Sequence, residues 1–374
     1  MQVLIALIFA LRIFSFMAIL PVLSHAASAY SNYSIINVGI AIGIYGLLQA
    51  IFHIPMGFWS DRLGRRKVVL FGLILMLLGS IVAAQTHDLF VIIIARAIQG
   101  AGAIGSVLNA WCADITNEKD MTKAMALIGM TIGLSFFLAV MLGPIIVEHF
   151  ALSGLFWLTA LLAVISMIVV CFIPDLGSKN NIEFTKHIKK VLSNSSLLKI
   201  DYGIFALHAS YTALFLVIPR WIDAYVGHAN SWYVYLPIIS VALLLSLPAM
   251  FLAEAKGKIN RVLVFSAAMM FFSQLLLIIS YKHWLVPLFI YFAAFTTLEA
   301  LLPSLLARYA PLGHKGTAMG VFSCTQYLGI FVGGIVGGWI LHHLNVIYLL
   351  MFSMMISLIW SIFSSKMPII VIKK

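Results

Sequence analysis

The sequence contains few charged residues. Asp, Glu, Lys and Arg make up 9% of the 374 residues, hydrophobic residues make up 63%, and the mean hydropathy is +1.09. Soluble domains contain about 25% charged and about 45–50% apolar residues, so the composition excludes a soluble globular domain. Segments of about ten residues with alternating hydrophobicity, which mark membrane β-barrels, are also lacking. The sequence therefore predicts an all-α integral membrane protein.

Acidic residues are scarcer than basic ones, with 12 Asp and Glu against 23 Lys and Arg and a formal net charge of +11. If the chain starts in the cytoplasm, the basic residues outside the hydrophobic runs cluster in cytoplasmic loops and the C-terminal tail. Arg220 and Lys282 are the exceptions. This is the positive-inside pattern, which sets helix orientation. We therefore expect both termini in the cytoplasm, and no nucleic-acid partner.

Residues that would carry enzyme chemistry are also lacking. The three cysteines, Cys112, Cys171 and Cys324, are far apart and have no metal-ligand spacing. HExxH, GxSxG and P-loop motifs do not occur, and no acids are paired at catalytic spacing. We therefore predict no metal, no cofactor, no enzymatic activity and no direct use of ATP.

Hydrophobic runs of about 20 residues, the length of a membrane-spanning helix, recur along the whole chain. We divide them into twelve spans: 2–23, 36–58, 68–86, 89–111, 124–147, 153–173, 200–219, 232–253, 262–280, 284–307, 317–341 and 346–365. The first run imitates a signal peptide, but it has no basic start and carries Arg12 at its centre. We expect an uncleaved first helix there.

An internal repeat divides the chain into halves. The most polar interior stretch, 174–199, separates six spans from six. Proline, acid, glycine and base follow spans 2 and 8 at one constant offset, as Pro55, Asp61, Gly64 and Arg65 and then as Pro248, Glu254, Gly257 and Lys258. The repeat predicts two pseudo-symmetric six-helix bundles, 1–174 and 199–374, joined by a cytoplasmic linker, 175–198.

The loop between spans 2 and 3, GFWSDRLGRRKVV, concentrates charge between two apolar runs. It resembles the signature loop of the major facilitator superfamily, G-x-x-x-D-R-x-G-R-[RK]-[RK], through Gly57, Asp61, Arg62, Gly64, Arg65, Arg66 and Lys67. A second family motif in span 4, R-x-x-Q-G-x-G-A, is matched by Arg96, Gln99, Gly100, Gly102 and Ala103. Longer runs, such as AIGIYGLLQAIFHIPMGFWSDRLGRR, resemble the bacterial YajR-type drug:proton antiporters, whose extra soluble C-terminal domain we do not expect here.

The resemblance implies that the charges of this loop act as a conformational latch on the cytoplasmic side. Asp61 is expected to face the start of span 11 near Gly316, Arg65 is expected to pair with Asp114, and Gly64 permits the tight turn. Such a contact would hold the two halves together while the cavity opens outward. The predicted latch residues are Gly57, Asp61, Arg62, Gly64, Arg65, Arg66 and Asp114. Alternatively, the basic residues only fix the orientation of the chain.

Ionisable residues within spans each cost about 2.5–3.5 kcal/mol on insertion scales, and four of them stand out. They are Arg12, Arg96, His208 and Glu299, on spans 1, 4, 7 and 10. In the superfamily these spans line the central cavity, so the resemblance implies a role in proton coupling. Burial disfavours charged Glu299 and a nearby arginine favours it, so we expect Glu299 to be the principal proton carrier, followed by His208. Alternatively, Arg12 forms a structural bridge to Glu299, and His208 is a hydrogen-bonded interior histidine.

Neighbouring polar side chains could extend this cavity. Gln99 and Tyr211 each lie one helical turn from an ionisable residue and are cavity candidates. Asp201, near the start of span 7, is interpreted as an interface or capping acid. His53 and Gln326 are interpreted as polar groups at helix contacts; alternatively, they polarise the cavity.

Glycines in two spans predict close helix contacts. Span 11 has GxxxG spacing through Gly329, Gly333, Gly334, Gly337 and Gly338. Span 5 resembles the antiporter motif of the family through Gly143 and Pro144. Val147 and Glu148 lie near where that motif has a later glycine pair, so this chain carries only part of it.

These features predict a proton-coupled antiporter that exports small amphiphilic compounds or drugs by alternating access. The expected location is the bacterial inner membrane. The expected partners are a small-molecule substrate, protons and the lipid bilayer, and the expected state is a monomer. The alternative is an importer of a metabolite or siderophore with the same fold.

Overall fold

The computed structural model describes residues 1–117, 120–175, 189–227, 230–254, 256–280, 283–311 and 315–368. Nearly all of these residues are helical, and within these ranges strand pairing is limited to an isolated β-bridge between Ser31 and Asp88. The predicted linker, 175–198, lies mostly outside the described residues, which resume at residue 189. The prediction of an all-α protein is confirmed.

The helices follow one another with short connections. They are α1 (Gln2–Met17), α2 (Leu20–Ala26), α3 (Ile35–Leu63), α4 (Arg65–Gln85), α5 (Leu89–Ala101), α6 (Gly105–Asp114), α7 (Met121–Cys171), α8 (Ser195–Leu214), α9 (Ile218–Val226), α10 (Trp232–Glu254), α11 (Ile259–Ile279), α12 (Leu285–Tyr309), α13 (Lys315–His343) and α14 (Val346–Ser365). Short polar side chains start several of them, because their oxygens accept the first free backbone N–H groups. Ser34 caps α3 and Asn345 caps α14 in this way.

The described residues contain eleven helical segments that are long and apolar enough to cross a membrane. One of these segments runs over 49 residues, Lys123–Cys171, which is about twice the length that one crossing needs. Ala151 interrupts the helix there with a φ of 56° and a ψ of −177°, so α7 contains two membrane helices. The prediction of twelve spans is thereby accounted for.

Three spans that the sequence predicts as continuous are interrupted in the structure. Span 1 divides between α1 and α2, span 4 between α5 and α6, and span 7 between α8 and α9. Pro21 and Pro219 lie in the first turns of α2 and α9. Backbone N–H groups in a first turn have no intrahelical acceptor, so proline loses no hydrogen bond there. Gly102, at the break in span 4, approaches Gly72 so closely that a Cβ would overlap the Gly72 carbonyl oxygen.

The chain forms two compact units. The first unit contains Met1–Ile182 together with Phe215–Trp232, and its α7 packs along α1 and α4. Its core surrounds the fully buried Trp111, whose Nε1–H donates to the Pro174 carbonyl over 2.9 Å. The second unit contains Glu183–Leu214 and Tyr233–Lys374, and its main contacts join α8 to α13 and α11 to α14.

Glycines allow α8 and α13 to pack with their backbones in contact. A Cβ at Gly329 would lie 2.5 Å from the Phe205 carbonyl oxygen, and a Cβ at Gly333 would overlap the Ala209 carbonyl oxygen. The GxxxG spacing in span 11 therefore serves the close helix contact that the sequence predicts. This contact holds α8, which carries His208, against α13.

We expect the Gly333→Ala variant to be less stable than the wild type by about 1–3 kcal/mol, because the added methyl group meets backbone that cannot rotate away. The measurement is the melting temperature of the purified protein in detergent. Gly320→Ala is the matched control on the same helix, since a Cβ there has no neighbour within 4 Å. It should be neutral or stabilising, because alanine favours helix by about 1 kcal/mol over glycine. Equal melting temperatures for the two variants would contradict the packing argument.

Candidate functional site

The loop between α3 and α4 turns at Gly64. The φ of this residue is +93°, a region that favours glycine. A Cβ there would also lie 3.3 Å from Asp175 Oδ2, a tight contact that adds to the preference for glycine. The turn places the end of α3 beside the beginning of α4, and it brings Asp61 and Arg65 together across the junction.

Arg65 connects three helices through its guanidinium group. Its Nη1 lies 2.5 Å from Asp61 Oδ1 and donates to Ser60 Oγ over 2.6 Å, while its Nε donates to Asp114 Oδ2 over 2.9 Å. Asp61, Arg65 and Asp114, three of the predicted latch residues, thus form one cluster of ion pairs. The Arg65 side chain is 13% exposed, whereas those of Asp61 and Asp114 are 31% and 41% exposed. Water therefore screens both ion pairs, and either can break at modest cost.

The other charged residues of the loop make separate contacts. Arg66 Nη2 donates to the Ile173 carbonyl over 2.5 Å and so ties the loop to the end of α7. The Arg62 guanidinium lies 4.2 Å from the centre of the Phe58 ring, and both residues are exposed. Gly57 faces α6, where a Cβ would lie 3.6 Å from Ser106 Oγ.

Arg12 and Arg96, the two buried arginines of the first unit, belong to one polar network. Arg12 Nη2 donates to Gln49 Oε1 over 2.6 Å, and Gln49 Nε2 donates to the Tyr45 hydroxyl over 3.3 Å. The Arg96 guanidinium lies over the same Tyr45 ring, 4.4 Å from its centre. Its Nη1 donates to Gln99 Oε1 over 2.8 Å. The network therefore joins three of the residues that the sequence predicts for the transport pathway.

Arg96 retains a donor that the described residues leave unused. The side chain is 1% exposed, and its Nη2 has no hydrogen-bond partner in the part of the chain that the structure describes. Gln99 also makes a second hydrogen bond, in which its Nε2 donates to Ser80 Oγ over 2.8 Å. This arrangement keeps the Arg96 side chain fixed while one of its N–H groups stays available.

Glu299 and His208 meet around Gln326 in the second unit. His208 Nδ1 lies 3.2 Å from the Ile204 carbonyl oxygen, which can only accept, so Nδ1 carries the proton and Nε2 presents a lone pair. Gln326 Nε2 lies 2.8 Å from His208 Nε2 and 3.4 Å from Glu299 Oε1. Glu299 Oε2 is 3.8 Å from His208 Nε2. Two ionisable groups therefore share one amide donor.

Aromatic side chains enclose His208. Tyr211, one turn along α8, stacks on Phe295 with ring centres 4.9 Å apart, and the ring centre of Phe295 is 6.0 Å from that of His208. His208 and Tyr211 are each 1% exposed, whereas the Glu299 side chain is 33% exposed. The Glu299 side chain is thus partly exposed, although its Oε2 is buried, whereas the imidazole of His208 is enclosed.

Gln326 contacts two other helices, because it links His208 of α8 and Glu299 of α12; its sequence signal was a lone amide in an otherwise apolar and glycine-rich span. Asp201 differs from one of its sequence-based interpretations. Asp201 does not cap α8, because Asn194 Oδ1 accepts from the N–H groups of Ser196 and Leu197. The Asp201 side chain is buried, and its oxygens make no hydrogen bond with the residues that the structure describes.

Comparison with known proteins agrees with this architecture. Residues 5–243 match the Major Facilitator Superfamily. The chain is 38% identical over 342 residues to the inner membrane transport protein YajR of Escherichia coli (strain K12), which covers 89% of this chain and 75% of that protein. It is 27% identical over 233 residues to a class E tetracycline resistance protein of Escherichia coli, covering 58% and 56% of the two chains.

The fold is also similar to that of a transporter whose structure has been solved. The crystal structure of a D-xylose-proton symporter has a TM-score of 0.78 at 14% sequence identity and covers 98% of this chain and 97% of the symporter. These proteins are named as transporters or resistance proteins, and the family is non-enzymatic, so this chain is a multi-pass membrane protein and not an enzyme. The family match and the identity to YajR together show that the chain belongs to the Major Facilitator Superfamily of membrane transporters.

Proposed function

We propose that this chain is a proton-coupled antiporter that exports small amphiphilic compounds across a bacterial inner membrane. The observation that carries the proposal is the contact of Glu299 and His208 with the shared amide of Gln326. The name of the Escherichia coli relative supports the location. Similarity to a tetracycline resistance protein supports export of a drug-like compound.

Glu299 is suited to accept a proton from water. Its side chain is partly exposed, although Oε2 itself is buried and has no hydrogen-bond partner among the described residues. Protonation makes the carboxyl group neutral, which lowers the cost of keeping it inside the membrane. Loss of that proton restores a carboxylate, which the Gln326 amide stabilises.

His208 is suited to be the second proton acceptor. Because its Nδ1–H donates to the Ile204 carbonyl, the lone pair of Nε2 is the place where a second proton can bind. A proton that leaves Glu299 for this nitrogen converts a neutral acid and a neutral imidazole into an ion pair. Before that transfer, the Gln326 N–H must leave Nε2, and the 3.8 Å separation of Oε2 and Nε2 must shorten or be bridged by a water.

We assign Arg12 and Arg96 to the same transport pathway. Burying two arginines within membrane spans costs several kcal/mol, and such residues are usually retained for function. Each is held by a neutral amide, Gln49 for Arg12 and Gln99 for Arg96. These two arginines and their two glutamine partners, together with Tyr211, are the candidates for contact with substrate.

We further propose that the latch controls alternating access. In this scheme the halves 1–174 and 199–374 rock about the central site, with 175–198 as a cytoplasmic linker and both termini in the cytoplasm. The single guanidinium of Arg65 holds α3, α4 and α6 together through the two screened ion pairs described above. A monomer suffices for this cycle.

We expect Glu299→Gln to abolish substrate-dependent proton movement, because an amide keeps the shape of the side chain but cannot carry a proton. The assay uses inverted membrane vesicles with a preformed pH gradient, to which lipophilic cations, antibiotics and metabolites are added in turn. Wild type should dissipate the gradient with at least one compound. Glu148→Gln is the matched control, because Glu148 is exposed at the end of a span.

The outcomes of this assay separate the alternatives. If Glu299→Gln responds like the wild type, the proton carrier lies elsewhere and His208 is tested next. If no compound moves protons through folded wild-type protein, export loses its support. Energised cells that accumulate a metabolite or siderophore through this chain would then identify an importer.

We expect Asp61→Asn to shift the protein away from the outward-facing state. The variant removes the carboxylate that the family resemblance expects to face the start of span 11, and it leaves Arg65 with a carboxylate only at Asp114. The measurement is the labelling rate of single cysteines placed at either end of the cavity in a cysteine-free background. Lys67→Gln is the control, since it removes an exposed charge from the same loop. Unchanged labelling in Asp61→Asn would contradict a latch function.

A further inference from the structure

The second unit has a groove between the beginning of α11 and the end of α14. Its volume is about 500 Å³, and its polar end is formed by Asn260, Arg261 and Ser365. Val264, Phe265 and Ala268 form its apolar wall. The groove lies at the end of α11 that the charge distribution predicts to be cytoplasmic.

The lining of the groove changes from cationic to apolar along one helix face. Val264, Phe265 and Ala268 follow Arg261 at three, four and seven residues, a spacing that keeps all four on one side of α11. Seven residues of helix span about 10 Å. Val264, Phe265 and Ala268 lie within the predicted span 262–280, so we expect the apolar wall to face the hydrocarbon region. Phe265 is 66% exposed on this wall. The groove thus offers a charged end for a headgroup and an apolar surface for an acyl chain.

Several cations lie near the polar end of the groove. Lys258 precedes α11, Lys366 follows α14, and Lys199 Nζ donates to the Lys366 carbonyl over 2.9 Å. Neither these three lysines nor Arg261 forms an ion pair with a described carboxylate side chain. An anion at this corner would therefore meet several positive charges that no described carboxylate pairs with.

The polar end of the groove is also fixed in place. Asn260 Nδ2 donates to the Pro368 carbonyl over 2.8 Å, and the Tyr309 hydroxyl donates to the same oxygen over 2.6 Å. These bonds hold the segment after α14 against α11 and α12. Met367, which also lines the groove, is buried by this arrangement.

We propose that this groove binds an acidic phospholipid of the cytoplasmic leaflet, with its phosphate near Arg261 and an acyl chain along Phe265. Charge complementarity selects the occupant, because clustered Lys and Arg at a cytoplasmic membrane surface attract acidic lipids. A zwitterionic lipid would bring a cationic amine to the same cluster. The site is independent of the proposed proton coupling, since it shares no residue with it.

The test measures the melting temperature of the purified full chain in a nonionic detergent. Phosphatidylglycerol, phosphatidylcholine and inorganic phosphate are added separately over the same concentration range. We expect phosphatidylglycerol to raise the melting temperature with saturation, and the other two to leave it unchanged. An equal rise with inorganic phosphate would mean an adventitious anion only, and an equal rise with phosphatidylcholine would mean no headgroup selection; either result overturns the proposal.

The Arg261→Gln variant tests whether phosphatidylglycerol raises the melting temperature by binding in this groove. We expect the half-saturating concentration of phosphatidylglycerol to increase about fivefold, the contribution of one basic residue near a membrane surface. Lys67→Gln, which removes one exposed cation from the loop of the first unit, should keep the wild-type value. If Arg261→Gln does not fold, Lys366→Gln serves instead. A wild-type response in the Arg261 and Lys366 variants would overturn the assignment.

Discussion

Burying an ionisable group within a bilayer costs several kcal/mol, and the structure meets this constraint mainly with glutamine. Gln49 accepts from Arg12, Gln99 accepts from Arg96, and Gln326 lies between His208 and Glu299. An amide can accept from a cation through its oxygen or donate to an anion through its nitrogen. Because these partners carry no charge, a neighbour that gains or loses a proton does not leave an opposite charge buried and unpaired.

The predicted latch residues differ from the groups within the spans in both their partners and their environment. Arg65 contacts two carboxylates rather than amides, and both acids are partly exposed. Water lowers the strength of such pairs to about 1 kcal/mol or less each. Arg65 is therefore held by two ion pairs that water weakens, whereas the arginines within the spans are held by neutral acceptors.

The sequence alone was sufficient to predict the fold class, the spans, the turn at Gly64 and the pairing of Arg65 with Asp114. Composition, span length and motif spacing carry these predictions, and each depends on local chain properties. The sequence was insufficient where distant helices meet. The partners of Gln326 could not be predicted, because they follow from the packing of α13 on α8. The breaks in spans 1, 4 and 7 were missed because hydrophobicity continues across them, although Pro21 and Pro219 were visible signals. Of the two interpretations of Asp201, an interface acid or a cap, the cap is excluded because Asn194 Oδ1 accepts from the first backbone N–H groups of α8.

The interrupted helices have a consequence for recognition. Each helix end has up to four backbone carbonyl or N–H groups without an intrahelical partner, so each break brings main-chain dipoles into the membrane interior. The break between α5 and α6 lies beside the arginine network, since a Cβ at Gly105 would be 3.3 Å from Arg12 Nη1. Polar contacts made by the backbone survive most amino-acid substitutions. A ligand recognised in this way would be bound by the path of the chain as well as by its side chains, and such recognition leaves little trace in the sequence.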